Sequence, residues 1–379
     1  MLYEREISSF RESNPTRRQG VLANLHLDLP LLTGLLLLCL VGLIVLYSAG
    51  GEEIELVKRQ LLRILLGFIL LVAVAQLTPD LLRRWSPWLY LTALGLLIAV
   101  LLFGESGKGA QRWLAVAGIR FQPSELAKLA VPMMIAWFLA SSRLPPRWDR
   151  LLIASILVII PALLIARQPD LGTALLVISA GIFVLFLAGL SWRFLLALVV
   201  AAIPLGWALW EWGMREYQRN RVLTFLNPER DPLGSGYHII QSKIAIGSGG
   251  LYGKGWLNGT QSQLEFLPER TTDFIFAVIA EEFGLNGILL LLALYLFVIF
   301  RGLYIAAHAQ HLYGRLLAGS LTLVFFVYLF VNTGMVSGIL PVVGVPLPLI
   351  SYGGTSMVTI MIGFGILMSI HTHRKLLPT

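Results

Sequence analysis

Charged side chains and cysteine are both scarce in this 379-residue chain. Charged residues make up 13% of it, whereas they make up about 25% of an ordinary soluble domain. The hydrophobic fraction is 57%, which is above the soluble average of about 45–50%. The composition therefore excludes an ordinary soluble protein and indicates a membrane protein. The single cysteine, Cys39, lies in the first apolar run, which excludes an intrachain disulfide and a metal site built from cysteines.

The chain also lacks a polar block that is long enough to fold alone, because apolar runs recur from residue 29 to residue 371. A membrane-spanning helix needs about twenty apolar residues. We predict an all-α polytopic membrane protein with one ten-span domain (29–371), an N-terminal segment (1–28) and a short tail (372–379). The predicted spans lie near residues 29–48, 61–77, 87–103, 124–140, 151–166, 171–189, 194–211, 286–303, 315–337 and 354–371.

The net charge of +8 does not indicate nucleic-acid binding once its distribution is considered. Lysine and arginine are concentrated in short segments on the side that carries both termini. The positive-inside rule assigns that side to the cytoplasm. Many basic residues of the opposite side lie in one long loop, residues 212–273, and long loops determine topology weakly. We therefore predict cytoplasmic termini and no nucleic-acid partner.

Polar sequence is concentrated on the predicted exoplasmic side, in residues 104–128, 167–173, 212–273 and 337–355. The long loop has regular apolar content, so we predict that it is structured. The last segment contains three prolines and cannot form a regular helix. Irregular backbone at membrane depth is tolerated only where protein or a water-filled cavity surrounds it. We predict a cavity that opens to the exoplasm.

Ionisable residues at the ends of the spans are candidates for a functional site, because their burial in hydrocarbon is costly. Glu125 and Lys128 begin span 4, and Asp170 begins span 6. Three acidic residues precede span 8, namely Asp273, Glu281 and Glu282. Four of them could instead be helix-start devices: Glu125 and Lys128 with Ser124 as the N-cap of span 4, and Asp170 and Asp273 as caps of their own helices. Because Glu125, Lys128 and Asp170 all lie at the same face of the membrane, together they favour a polar site.

Other signatures of chemistry are missing from the sequence. It contains no P-loop, no dinucleotide-binding glycine motif, no zinc-protease helix motif and no nucleophile elbow. Five of the six histidines fall on the predicted cytoplasmic side, and only His238 lies in the long loop. A metal site made of histidines is therefore not expected.

Several long strings resemble the SEDS family, whose members include RodA, FtsW and SpoVE. The resemblance spans essentially the whole chain, and residues 231–269 are similar to the rod-shape members in particular. The strings are RWL and RFQPSELAKL within residues 112–129, QPDLGTA (168–174), LPERTTDFIFAVIAEEFG (267–284) and GILPVVGVPLPLISYGGTS (338–356).

The resemblance implies a peptidoglycan glycosyltransferase of the bacterial inner membrane. Such a protein polymerises lipid II on the periplasmic face with inversion and releases undecaprenyl diphosphate. It works with a class B penicillin-binding protein and other membrane proteins of the elongation machinery. By the same resemblance, Asp273 is the catalytic aspartate, and Glu125, Lys128 and Asp170 line the cavity.

This chemistry needs one general base and positive charge near the leaving pyrophosphate. Asp273 is the predicted base for the acceptor hydroxyl. A divalent cation, Mg²⁺ or Mn²⁺, is left open as a further source of charge. We also expect Lys128 and Asp170 to form a buried pair. The candidate cations for the pyrophosphate are Arg112, Arg120, Lys128, Lys243 and Arg270.

Two other classes of function are compatible with many spans. A lipid II flippase would explain a polar cavity and broken helices, but it would place ionisable groups at mid-membrane and substantial polar loops on the cytoplasmic side. A scaffold of the elongation machinery would explain the membrane location but not the ionisable residues at the span ends. Synthesis of glycan chains by the purified protein distinguishes the polymerase from both.

Overall fold

The computed structural model describes most of the chain, and the statements below concern that part. The described residues are 25–107, 110–116, 119–142, 144–190, 196, 200, 204, 206–214, 216–230, 235–264, 266–267 and 269–373. The predicted N-terminal segment and tail therefore lie almost entirely outside the described residues, and so does most of the seventh predicted span.

Long apolar helices dominate the described chain. The first half contains α1 (Leu29–Ala49), α2 (Ile54–Ala75), α3 (Pro79–Phe103), β1 (Glu105–Gly107), β2 (Ala110–Val116), β3 (Ile119–Phe121), α4 (Pro123–Ala140), α5 (Trp148–Arg167) and α6 (Leu171–Leu187). The second half contains α7 (Glu216–Leu226), α8 (Ser235–Gly249), α9 (Thr260–Gln263), α10 (Ile275–Ala307), α11 (Leu312–Val336) and α12 (Thr355–Thr372).

Within the described residues, helices occupy nine of the ten predicted spans, which confirms the polytopic helical fold class. Seven of them are long and apolar enough to cross a membrane: α1, α3, α4, α5, α10, α11 and α12. These helices differ in burial. In the apolar stretch of α4, 72% of the residues are buried, and in that of α11, 61% are buried, whereas the value for α3 is 28%. Helices α4 and α11 therefore form the centre of the bundle, and α3 presents most of its surface outward.

The helix starts show which capping predictions hold. The Asp170 carboxylate accepts a hydrogen bond from the Thr173 N–H at 3.2 Å, which confirms Asp170 as the N-cap of α6. The predicted cap of α4, Ser124, is wrong. The helix begins one residue earlier, at Pro123, with Gln122 as the N-cap residue. Proline suits a first helical position because its φ angle is preset and its missing N–H is not needed there.

Two polar segments have more structure than a loop. Strands β1, β2 and β3 form a small antiparallel sheet in that order, which was not predicted from the sequence. Residues 212–273 contain α7, α8 and α9, so the prediction of a structured loop is confirmed. Helix α8 packs closely against α10, and a Cβ added at Gly249 would lie 2.0 Å from the Ala280 carbonyl oxygen.

The predicted irregular segment between α11 and α12 is confirmed, and neighbouring side chains supply its hydrogen bonds. The Asn332 side-chain amide donates to the Val345 carbonyl at 2.8 Å. The Tyr295 hydroxyl donates to the Pro348 carbonyl at 2.5 Å. Because side chains of the surrounding helices satisfy its backbone, this segment can run through the bundle without being a helix.

Candidate active site

A cavity of about 550 Å³ lies where the irregular segment meets the first turns of α4, α6 and α12. Helices α8 and α11, the strand β2 and the residues just before α10 complete its wall. Five of the eight predicted site residues line it. Its titratable lining residues are Arg112, Glu125, Lys128, Asp170, His238, Glu269, Asp273, Tyr328 and Tyr352.

Lys128 has two partners in the cavity wall. Its ammonium lies 2.8 Å from Glu125 Oε2, and both side chains are less than 10% exposed. It also donates a hydrogen bond to the Tyr328 hydroxyl, which comes from α11. The spacing of three residues places Glu125 and Lys128 on one face of α4. A buried lysine would be very costly alone, and this carboxylate and hydroxyl offset that cost.

Asp170 belongs to a second group in the same cavity. Its Oδ2 lies 3.8 Å from a guanidinium nitrogen of Arg112 and accepts a hydrogen bond from the Gln122 amide at 3.1 Å. Arg112 also donates to the carbonyls of Gln168 and Pro169, so its position on β2 is fixed. The predicted direct pair between Lys128 and Asp170 is therefore wrong. Glu125 and Tyr328 satisfy Lys128, and Arg112 and Gln122 contact Asp170.

Asp273 lies just before the N-terminus of α10, next to the irregular segment. Helix α10 begins at Ile275, and its N-cap residue is Phe274. Asp273 therefore precedes the cap and is not itself the N-cap, which contradicts the alternative explanation for this residue. Its backbone is held by the Asn332 amide, which donates to the Asp273 carbonyl at 3.0 Å. The half-buried carboxylate lines the cavity, as the sequence analysis predicted.

Three predicted cations do not appear in the cavity lining. Lys243 packs against the backbone at Gly338, where an added Cβ would lie 2.2 Å from its Cε. Arg270 donates to the Ser262 carbonyl. The backbone of Arg120 belongs to β3, but its side chain lies outside what the structure describes. Their predicted contacts with substrate stay predictions.

The acidic pair Glu281 and Glu282 anchors the long segment instead of lining the cavity. Both side chains are buried inside the bundle. The Lys254 ammonium donates to Glu281 Oε1 at 2.7 Å, and the Gln261 N–H donates to the same oxygen at 3.0 Å. The Ser48 hydroxyl of α1 donates to Glu282. These carboxylates therefore fix the 250–263 region against α1 and α10.

Tyr328 and Gln122 were not predicted from the sequence, and His238 was considered only as a metal ligand. A signal for Tyr328 was present, because polar side chains within a predicted span are candidates by default. His238 lies outside the spans, on α8, and its ring stacks on Phe274 with 5.6 Å between centroids. Burial lowers the pKa of His238 below its usual value, although the nearby Glu269 carboxylate acts in the opposite direction.

Comparison with known proteins agrees with this architecture. The model of the FtsW/RodA/SpoVE family of cell cycle proteins matches residues 25–376. Peptidoglycan glycosyltransferase MrdB of Escherichia coli strain K12 is 58% identical over 355 residues, which cover 93% of this chain and 95% of the relative.

Solved structures show the same fold. One described as structural coordination of polymerization and crosslinking by a peptidoglycan synthase complex has a TM-score of 0.80 and 34% identity, covering 92% of this chain and 99% of the other. A crystal structure of Thermus thermophilus rod shape determining protein RodA has a TM-score of 0.70 and 29% identity, covering 92% and 98%. This chain therefore belongs to the FtsW/RodA/SpoVE family, the SEDS family, of multi-pass membrane proteins.

Proposed function

We propose that the peptidoglycan glycosyltransferase activity of this chain resides in the central cavity, with lipid II as donor and acceptor. The observation that carries this proposal is the convergence of Asp273, Arg112, Lys128 and Asp170 on one cavity of about 550 Å³. The Escherichia coli relative at 58% identity carries the name of this activity. The product is a glycan strand, and the leaving group is undecaprenyl diphosphate.

Asp273 is the general base in this proposal. Its carboxylate takes the proton from the acceptor hydroxyl, whose oxygen then attacks the anomeric carbon of the donor. The bond between that carbon and the pyrophosphate oxygen breaks, and the leaving group keeps the electron pair. One displacement inverts the anomeric centre, so it needs one carboxylate and not the pair used in glycoside hydrolysis. Proton transfer of this kind contributes about 10²–10⁴-fold in rate.

Arg112 is the cation best placed to stabilise the leaving pyrophosphate. Its side chain is 33% exposed, and its contact with Asp170 is loose at 3.8 Å. Lys128 is closely paired with Glu125, which reduces the charge that it can offer to substrate. A planar guanidinium binds phosphate oxygens in a bidentate manner. We therefore assign the pyrophosphate to Arg112 first, with Lys128 shaping the cavity wall beside it.

A divalent cation such as Mg²⁺ or Mn²⁺ would need ligands from the substrate as well as from the protein. Within the described part of the chain, no three His, Cys, Asp or Glu side chains are grouped closely enough to hold a metal ion. Pyrophosphate oxygens are good ligands for Mg²⁺. Polymerisation assays with chelator, followed by addition of each metal, will measure this contribution.

The cavity faces the periplasm in this proposal, and both termini lie in the cytoplasm. The asymmetry of basic residues in short loops supports this orientation. Labelling of single cysteines in a Cys39→Ala background tests it, with Tyr252→Cys on the cavity side and Ser141→Cys on the other. Tyr252 is 82% exposed, and Ser141 is also exposed. An impermeant maleimide should label the first in intact spheroplasts and the second only after lysis. The reverse pattern would contradict the orientation.

A class B penicillin-binding protein is the proposed partner. The support comes from the similar solved structure of a complex that coordinates polymerization and crosslinking. Other membrane proteins of the elongation machinery are proposed as further partners. Purified chain should polymerise lipid II faster when the transpeptidase is present. Equal rates with and without it would contradict activation by complex formation.

Purified protein in detergent with lipid II tests the activity itself. Glycan strands should appear without ATP and without vesicles, and undecaprenyl diphosphate should be released. A flippase would need a membrane to show turnover, and a scaffold would show none. Absence of strands with the partner present would contradict the proposed function.

A further inference from the structure

His238 is a cavity residue that the proposed mechanism does not use. It lies on α8, and its imidazole lines the cavity that also contains Asp273. The ring stacks nearly parallel on Phe274, at 20° between planes, so the residue next to the proposed base fixes its orientation. A ring in this position is close to any substrate that reaches the cavity wall formed by α8.

One nitrogen of the ring has an unusual environment. Nδ1 of His238 is buried and has no hydrogen-bond partner within the described part of the chain. A protonated imidazole carries an N–H on both nitrogens. Protonation would therefore bury an N–H without an acceptor, which costs free energy. The geometry favours the neutral ring, which has one N–H and one lone pair.

The charges around the ring act in both directions. Glu269 is the carboxylate that favours the protonated ring, but it also accepts a hydrogen bond from the Thr272 hydroxyl at 2.9 Å. Lys243, on the same helix, packs against Gly338. The other charged residues facing this cavity are Arg112, Glu125, Lys128, Asp170 and Asp273. Burial outweighs Glu269, so the pKa of His238 lies below the usual histidine value and the ring is neutral at neutral pH.

We propose that His238 contacts the substrate, and that its neutral imidazole hydrogen-bonds a hydroxyl or amide group of the lipid-linked sugar held beside Asp273. This inference rests on the proposed function. Because Nδ1 is buried, the nitrogen that can meet a substrate is Nε2, and a neutral ring with its N–H on Nε2 donates to an uncharged sugar oxygen. Protonation would add a charge and would bury an N–H on Nδ1 without an acceptor, so binding should weaken in acid.

Two variants separate the hydrogen bond from the packing of the ring. His238→Phe keeps an aromatic ring on Phe274 but cannot hydrogen-bond. His238→Gln keeps a donor and an acceptor but cannot titrate. His308→Phe is the matched control, because the His308 ring also contacts an aromatic neighbour, Tyr304, and is exposed outside the cavity.

The measurements are the melting temperature, lipid II affinity by ligand-induced thermal shift, and kcat/KM for polymerisation between pH 5.5 and 8.5. His238→Phe should lose about tenfold in affinity and kcat/KM at pH 7.5, the equivalent of one hydrogen bond, with an unchanged melting temperature. His238→Gln should stay within a few fold of wild type. It should also lack the wild-type decline that begins below about pH 6.5.

A His238→Phe variant with wild-type affinity and kcat/KM would overturn the inference. So would equal losses in both variants together with a lower melting temperature, because that result assigns the ring to packing alone. If the wild type binds lipid II but makes no glycan, the proposed function fails while the affinity comparison still decides the role of His238. The inference stands only if affinity falls in His238→Phe and is retained in His238→Gln.

Discussion

Two charged clusters lie at opposite ends of the helical bundle, and they satisfy their charges differently. The end away from the cavity contains Asp28, which caps α1 and accepts hydrogen bonds from Arg301 Nε at 3.0 Å and Arg301 Nη2 at 2.6 Å. The Leu31 N–H donates to the same carboxylate at 3.0 Å, and His371 Nε2 lies 3.3 Å away. This cluster joins α1, α10 and α12 and leaves the Asp28 carboxylate fully engaged.

The polar groups that line the cavity are less fully paired than those around Asp28. The Arg112–Asp170 contact is 3.8 Å long, and a buried polar atom of the cavity lining, His238 Nδ1, lacks a partner within the described chain. Buried polar groups without partners are costly, so a protein retains them where a ligand or water can satisfy them. The two clusters therefore have different roles. The cluster around Asp28, Arg301 and His371 is the closed cluster, and it fixes helices against one another. The cluster that lines the cavity is the open cluster, and it is suited to binding.

The largest expected effect is the loss of turnover in the variant Asp273→Asn, which changes a residue of the open cluster. This change keeps the size of the side chain but removes the proposed proton acceptor, so polymerisation should fall by about 10²–10⁴-fold. Lipid II binding and the melting temperature should stay close to wild type. The matched control is Asp149→Asn, an exposed carboxylate at the start of α5 that lies outside the cavity lining. Turnover within a few fold of wild type would assign the base to another carboxylate.

The closed cluster should instead respond through stability. Asp28→Ala leaves the Arg301 guanidinium, which is 22% exposed, without its carboxylate, and should lower the free energy of unfolding by about 3–5 kcal/mol. The double variant Asp28→Ala, Arg301→Met should recover part of that loss, because no charge is left unpaired. Unfolding in mixed micelles measures both. A loss of activity per folded molecule would contradict the purely structural role.

The cavity contains two groups that can be separated energetically. Lys128→Met and Glu125→Gln should be strongly non-additive in unfolding free energy, with a coupling of about 0.5–3 kcal/mol, because the two residues are in contact at 2.8 Å. Lys128→Met and Asp170→Asn should be additive within about 0.5 kcal/mol, because each residue has its own partners. A strong coupling in the second cycle would restore the pair that the sequence analysis expected.

The sequence predicts those features that depend on local pattern. The spans, the cap at Asp170 and the irregular segment after α11 all follow from hydrophobic runs, cap chemistry and proline. The Glu125–Lys128 pair follows from helical spacing. Partners from distant parts of the chain could not be predicted in this way. Tyr328 is 200 residues from Lys128, and Arg112 reaches Asp170 only through the small sheet.

The smallest expected effect is a pH dependence confined to the closed cluster. Burial raises the pKa of Asp28, but the hydrogen bonds from Arg301 and Leu31 outweigh burial and hold the pKa below its usual value. The folded state therefore binds this proton less tightly than the unfolded state, whose aspartate titrates near pH 3.9. The stabilisation is fully present above that pH and is lost as the pH falls through the lower folded value.

Asp28→Asn isolates this contribution, because asparagine keeps the size and capping ability of the side chain without titrating. The difference in melting temperature between wild type and Asp28→Asn should shrink as the pH falls below about 4. Taking the difference between the two proteins cancels the titration of carboxylates that they share. A difference that does not change between pH 5 and pH 3 would show that Asp28 has the same pKa in the folded and the unfolded protein, so that its contacts with Arg301 and Leu31 do not favour the ionised carboxylate.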